Sequence, residues 1–265
     1  MFLSADSWDA SIGESFISPA YGEKLPAPVA ASDVVTWLSL DQPSRPPMLP
    51  FFGTKTSPGL GVKGWMMTNA NFIAERPSPP PIATQSEMKA QVDEVKYYSQ
   101  HLTREREGIV IKWADGAGTY SPPGHWNQIA ESYVRDAHFS EVRAARAFAL
   151  LNMSMHDAAV GCWEAKYYYF NPRPTQLDPS IKTGTGIPNF PSYTSGHSTF
   201  SSAAARVLSY LFPNDATYFS DQAQEASLSR LYGAIHYRVD IEAGSDHGKR
   251  IGGYTVNFAM GDGAN

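Results

Sequence analysis

An all-α fold is predicted, a multi-helix bundle with an irregular N-terminal arm, and three observations predict it. From Ser86 onward, apolar residues recur at helical spacing, punctuated by glycine and proline. No run of alternating β-branched residues reads as a strand. Residues 1–85 are instead rich in Pro, Gly and Ser, as in "DQPSRPPMLPFFG" (41–53) and "ERPSPPPIATQ" (75–85).

The arm comes first. Proline fixes φ and removes a donor, so residues 1–85 cannot hold long helices or central strands. Yet they carry Trp37, Phe51, Phe52, Trp65, Met66, Met67 and Phe72. A solvated linker would not hold so many large apolar groups. The arm is therefore expected to wrap a helical domain of residues 86–265.

The helices follow in order. "SEMKAQVDEVKYYSQ" (86–100) opens on Ser86 with acid in its first turn, a start signal. "REREGIVIKWADG" (104–116) is a second helix ending near Gly116, and "GTYSPPGH" (118–125) reads as a loop. "WNQIAESYVRDAHF" (126–139) is a third. "SEVRAARAFALLNMSMHDAAVGCWEAKYYY" (140–169) is a long, largely buried fourth, stopped by Asn171-Pro172 and Arg173-Pro174. A loop with Gly184, Gly186, Pro188 and Pro191 leads to helices at about 196–212, 215–232 and 235–260.

Composition narrows the function. A 42% hydrophobic content suits a sizeable core, and a net charge of −5 offers no basic field for nucleic acid or acidic membranes. The single cysteine, Cys162, forms no internal disulfide and reads as a buried thiol. No apolar stretch is long enough to span a membrane. "MFLSADSWDASIGESF" lacks the charged and apolar regions of a signal peptide. The protein is thus expected in the cytoplasm, unless this sequence lacks the native N-terminus, and the compartment stays open.

Three clusters carry chemistry. Lys166 and Arg173-Pro174 pair a compact charge with a planar fork suited to a tetrahedral oxyanion. A helix-end lysine answering the dipole and a surface arginine would look the same. Ser195-Gly196-His197 stands at a helix mouth, where free N–H groups and the helix dipole favour an anion. A plain N-cap would also place serine there. In "SRLYGAIHYRVD" (229–240), His236 and Asp240 are four apart and share a helix face. A carboxylate behind a histidine fixes its tautomer. Gly233 provides the break that lets Arg230 and His236 converge. An ordinary surface pair is the other reading.

Together, K-x6-R-P, S-G-H and S-R-x5-H-x3-D resemble the vanadium-dependent haloperoxidase and type 2 phosphatidic acid phosphatase superfamily. "KWADGAGTYSPPGHWNQIA" (112–130) extends the resemblance toward bacterial haloperoxidase-like proteins. It puts Asp115 where that branch keeps a carboxylate bridging the site's cations. Trp163 and Phe190 match aromatics that line the halide side. The resemblance covers about 105–260. Thr194 replaces the usual proline, and the larger members carry a further bundle that is missing here, so the chain reads as one that could be a fragment.

The resemblance implies an oxyanion held by Lys166, Arg173, Arg230, Ser195 and the Gly196 N–H. His236 is its axial ligand, bound to vanadium in the vanadate form, with Asp240 behind it. His197 is the acid–base opposite, and Lys166 also polarises bound peroxide. The implied cofactor is vanadate, with phosphate able to occupy the same site. Hydrogen peroxide and halide, or else a phosphate ester, are the implied partners. Halide oxidation is the expected activity. Phosphate monoester hydrolysis through a phosphohistidine is the alternative, and an inactive oxyanion-binding module or fragment is a third. Self-association through an exposed bundle face is also expected.

Other polar residues read as structural. His125 and His156 read as hydrogen-bonded structural histidines, with a supporting role at the site as the other reading. Asp157 on a buried helix needs a partner, and His101 and His247 look solvent-facing. Met153 and Met155 read as core. No HExxH, CxxC, Walker loop or EF-hand loop is present.

Overall fold

The computed structural model describes residues 63–116 and 118–264, with Val35 and Trp37 of the arm. Its helices are α1 (Asn69–Ala74), α2 (Ser86–Gln100), α3 (Arg104–Lys112), α4 (Ser121–Asp136), α5 (Glu141–Tyr169), α6 (Pro174–Leu177), α7 (Gly196–Leu211), α8 (Ala216–Tyr232) and α9 (Arg238–Gly261). The described residues contain no strand. The protein is all-α, as the sequence predicts.

Helix starts follow local chemistry. Thr103, Ser140 and Ser195 are N-caps whose hydroxyls accept from the backbone N–H three residues on. α4 departs from expectation. It begins at Ser121, because Pro122 and Pro123 fill its first turn, where no N–H is needed. The second predicted helix, α3, stops at Lys112, short of Gly116. Asp115 beyond it adopts a left-handed φ of 44°. α5 ends at Phe170, also left-handed, whose N–H returns to the Lys166 carbonyl.

The main core lies between α4, α5, α7 and α8, around Trp113, Trp126, Leu151, Met155, Leu208 and Phe219. The Trp126 indole donates to Ser201 Oγ at 2.9 Å, so burial leaves its N–H satisfied. Cys162 is buried, as expected.

α9 lies directly against α7. Gly244, Gly248 and Gly252 form a ridge at i, i+4, i+8 that faces the α7 backbone. A Cβ there would stand 2.9 Å from the Ser195 carbonyl, 2.2 Å from that of Thr199 and 2.9 Å from that of Ala203. Only glycine permits this approach. It sets the start of α9 beside the start of α7, where Ser195 N–H donates to the Asp240 carbonyl at 3.0 Å.

His247 was expected at the surface and is 0% exposed. The middle of α9 faces α5, and the ring lies over Gly161, where a Cβ would be 3.1 Å from Cε1. Neither ring nitrogen has a hydrogen-bond partner among the described residues.

The described part of the arm is clamped to α5. Asp157 finds the partners it needs: the N–H groups of Trp65, Met66 and Met67 donate to it at 2.7, 2.8 and 3.1 Å. Arg76 forks onto Glu164 and lies over the Tyr168 ring. The Tyr169 hydroxyl donates to the Pro77 carbonyl at 2.6 Å. Met67 and Phe72 are buried, and Trp37 packs edge-on to Phe170. Phe51 and Phe52 lie outside the described residues.

Candidate functional site

The three sequence clusters meet at one place, between the C-terminal end of α5, the N-terminus of α7 and the α8–α9 turn. Lys166 and Arg173 are not the surface pair that their sequence also allowed. They are 0% and 1% exposed, and Arg230 is 2%.

Each cation is held by carbonyls or a hydroxyl. Lys166 Nζ donates to the Pro191 and Ser192 carbonyls, both at 2.8 Å. Arg173 donates from Nε to the Phe190 carbonyl at 3.1 Å and from Nη1 to the Ile235 carbonyl at 2.7 Å. Its Nη2 is buried without a hydrogen-bond partner among the described residues. Arg230 donates from Nε to Ser229 Oγ at 2.8 Å and from Nη2 to the Val110 carbonyl at 3.3 Å. Burial lowers Arg173 and Arg230 to about 10, so both stay charged at neutral pH. Burial also pushes the Lys166 ammonium down, and Arg173 adds to the effect.

His236 lies in the α8–α9 turn. Two expectations change here. α9 starts at Arg238, so His236 precedes it, and Asp240 at the third helical position reaches back instead of sharing a helix face. The left-handed residue of the turn is Ala234, φ 57°, whereas Gly233 keeps a helical φ of −73°. A Cβ at 233 would crowd the Ser229 carbonyl at 3.0 Å and the Thr185 methyl at 3.3 Å.

The tautomer of His236 follows from its partners. Arg173 Nη1, 3.0 Å from Nε2, can only donate, so Nε2 carries the lone pair. Nδ1 therefore carries hydrogen and donates to Asp240 Oδ2 at 2.8 Å. The same oxygen accepts from Ser192 Oγ at 2.5 Å and from Tyr237 N–H at 3.2 Å. Burial holds the His236 imidazolium well below its usual pKa, and Arg173, Lys166 and Arg230 push it further. Burial raises the Asp240 carboxyl, while the Ser192 hydroxyl and the two nearest cations pull it back.

Ser195 caps α7 through a 3.4 Å contact from Ser198 N–H, so the plain cap reading is also met. The cap uses the N–H of Ser198 and leaves the first-turn N–H groups of Gly196 and His197 without intrahelical partners, as at any helix start. His197 bonds the Trp113 backbone. Its Nε2 has no hydrogen-bond partner among the described residues and stands 3.9 Å from Asp115 Oδ2. Burial lowers its pKa strongly, and Arg230 adds to this.

Asp115 does not bond the arginines. Its carboxylate meets His125 Nδ1 at 3.1 Å and lies near His197, while its charge acts on Arg230 through space. His125 stacks on Trp113 with centroids 4.1 Å apart. Trp163 and Phe190 pack against each other with ring centroids 4.9 Å apart. The Phe190 centroid is 5.0 Å from Lys166 Nζ and 5.2 Å from Arg173 Cζ.

Sequence reasoning passed over Ser192, which contacts Asp240 and Lys166 together. Only its position three residues before Ser195 hinted at it. Among the described residues no group of His, Cys, Asp and Glu forms a cation site. No described helix is long and apolar enough to cross a membrane.

Residues 145–261 match the family model of the PAP2 superfamily, and the chain carries a PAP2 superfamily domain. It is similar to the first bacterial vanadium-dependent iodoperoxidase at a TM-score of 0.67 and 25% identity, covering 93% of this chain and 66% of that one. A holo bacterial vanadium-dependent chloroperoxidase matches at 0.60 and 15% identity, covering 75% and 53%. The transmembrane PAP2-type phosphatidylglycerolphosphate phosphatase from Bacillus subtilis matches at 0.51 and 13%, covering 68% and 90%. The chain thus spans just under two thirds of the iodoperoxidase and about half of the chloroperoxidase. No curated protein matches the sequence.

Proposed function

We propose that this chain, which carries a PAP2 superfamily domain, is a vanadate-dependent haloperoxidase that oxidises halide with hydrogen peroxide. One observation carries the reading. Three cations, Lys166, Arg173 and Arg230, are buried and answered by two carboxylates: Asp240, which acts on Lys166 and Arg173 and is already engaged by three donors, and Asp115, which acts on Arg230. Buried charge needs compensation. A tetrahedral oxyanion would supply it, and would satisfy the orphaned Arg173 Nη2.

Vanadate fits this donor set. Lys166, Arg173, Arg230, Ser195 and the Gly196 N–H would hold its oxygens, and His236 Nε2 would be its protein ligand. When bound, vanadate supplies a Lewis-acidic centre that activates hydrogen peroxide toward halide. The chain does the rest. Asp240 holds the His236 proton on Nδ1 and keeps the Nε2 lone pair facing the pocket. His197 bonds a backbone carbonyl through Nδ1, which leaves Nε2 to accept and return a proton. Asp115 stabilises the imidazolium that results. Lys166 keeps one N–H beyond its two carbonyl partners to polarise an oxygen in the site. Trp163 and Phe190 offer an apolar wall suited to a weakly hydrated halide, and exclude water there. The likeness to the iodoperoxidase over most of this chain supports this branch.

The same geometry supports phosphate monoester hydrolysis as a second reading. His236 Nε2 would attack phosphorus, His197 would protonate the departing alcohol, and water would later release phosphate from His236. The likeness in fold to a PAP2-type phosphatase keeps this reading in place. A non-catalytic oxyanion module is the third. Protein reconstituted with orthovanadate should brominate a phenolic dye in the presence of hydrogen peroxide. Vanadate-free protein is assayed in parallel on p-nitrophenyl phosphate. Ester hydrolysis without bromination would replace the first reading by the second, and silence in both with vanadate bound would favour the third.

A further inference from the structure

Ser192 is 0% exposed and lies on the loop that precedes α7. Its N–H donates to the Asn171 carbonyl at 3.0 Å, which ties the loop to the end of α5. Its carbonyl accepts from Lys166 Nζ at 2.8 Å. Its hydroxyl donates to Asp240 Oδ2 at 2.5 Å, on the oxygen that also accepts from His236, and stands 3.4 Å from His236 Nδ1. One residue thus contacts the lysine of the first cluster and the histidine–carboxylate pair of the third.

We propose that Ser192 is a positioning residue whose hydroxyl aligns His236 on the oxyanion through Asp240. Asp240 Oδ1 has no partner among the described residues, where the carboxylate is oriented through Oδ2. Tyr237 N–H and His236 Nδ1 approach that oxygen from one chain segment. Ser192 supplies the contact from outside it, and so opposes rotation of the carboxylate away from the His236 ring. Without the hydroxyl, Asp240 can turn and Nδ1 loses its fixed acceptor, so that the Arg173 donor alone opposes movement of the ring proton to Nε2. A ring protonated at Nε2 offers no lone pair to an electrophilic centre.

The test uses Ser192→Ala, Ser192→Cys and the unmodified chain. Side-chain 15N shifts of His236, assigned by comparison with His236→Gln, report which ring nitrogen carries hydrogen. The unmodified chain should show the Nδ1–H form alone, and Ser192→Ala a mixture. Calorimetric affinity for orthovanadate should fall about tenfold in Ser192→Ala, the scale for losing a hydrogen bond to a charged group. Ser192→Cys, a similar volume with a weaker donor, should lie between. It also decides the matter if the alanine variant does not fold. An unmixed Nδ1–H ring in the alanine or cysteine variant would overturn the proposal, as would unchanged affinity in either. The affinity measurement rests on the function proposed above, but the tautomer measurement does not. If the unmodified chain binds neither orthovanadate nor inorganic phosphate, that function fails, and the 15N shifts still decide the role of Ser192.

Discussion

At the residue scale, two histidines divide the work and should separate in mutagenesis. His236 presents an Nε2 lone pair backed by Asp240, whereas His197 Nε2 lies 3.9 Å from Asp115 Oδ2 and has no hydrogen-bond partner among the described residues. His236→Ala should lose tight orthovanadate binding and keep only a weak, salt-sensitive retention by the three cations. His197→Ala should keep binding and lose turnover. Equilibrium dialysis beside a turnover assay checks both, and full-affinity binding by His236→Ala would refute the assignment. His247 makes a different prediction. Burial lowers its ring to about 3, so the folded chain does not take up a proton that the unfolded chain binds below about 6.5. The unfolded state then binds more protons, and stability falls as pH drops from about 6.5 toward about 3. The slope is about 1.4 kcal/mol per pH unit for one such group. His247→Gln should remove that share of the acid slope, read from urea unfolding at several pH values. His197 and His236 are also held neutral by burial, so a residual slope remains.

At the element scale, the α7–α9 contact decides whether the site assembles. Gly248→Ala would drive a methyl into the Thr199 carbonyl, which is backbone and cannot step aside. It should cost about 2 kcal/mol or more by overpacking. It should also weaken oxyanion binding, because the same contact sets Ser195 against Asp240. Gly253→Ala on the same helix meets nothing within 4 Å and should stabilise by up to about 1 kcal/mol through helix propensity. Chemical denaturation of the two variants side by side distinguishes contact from composition. The strap at 63–78 depends on Asp157 in the same local way. Asp157→Asn places an amide NH2 among three N–H donors, and should cost about 2–3 kcal/mol for the unmade bonds. Limited proteolysis should then cut within the strap sooner, while α7 to α9 remain protected. Equal cleavage rates would separate Asp157 from the anchoring of the strap.

At the scale of the whole molecule, the pocket stores unfavourable charge that a ligand can relieve. Burial deprives Lys166, Arg173 and Arg230 of water, and in addition Arg173 disfavours the charge on Lys166 and Arg230 that on Arg173. An oxyanion that binds only the folded chain should raise Tm by mass action. The gain is about 2.7 kcal/mol at a hundredfold excess over Kd. Orthovanadate or inorganic phosphate should therefore raise Tm well beyond chloride at equal ionic strength. An equal response to all three would mean that the cations do not form a site for a tetrahedral oxyanion.

Much of this protein was legible in its residues because the signals are local. The course of α5, α7 and α8 follows from apolar periodicity, caps and proline stops, which act within a few residues. The grouping of Lys166, Arg173, Ser195, His197, Arg230 and His236 was legible only through the resemblance carried by the three motifs in combination, since each motif alone also allowed a surface or cap reading. Other features belonged to tertiary structure alone. The burial of His247 depends on which face of α9 meets α5, and neighbouring residues do not encode that choice. The turn at Ala234 and the tautomer of His236 depend on partners far along the chain, Arg173 above all. The role of Ser192 exists only because the loop before α7 folds back onto both Lys166 and Asp240. Spacing reveals which groups a chain owns, but hydrogen bonds across long separations decide which atom of each group faces the pocket.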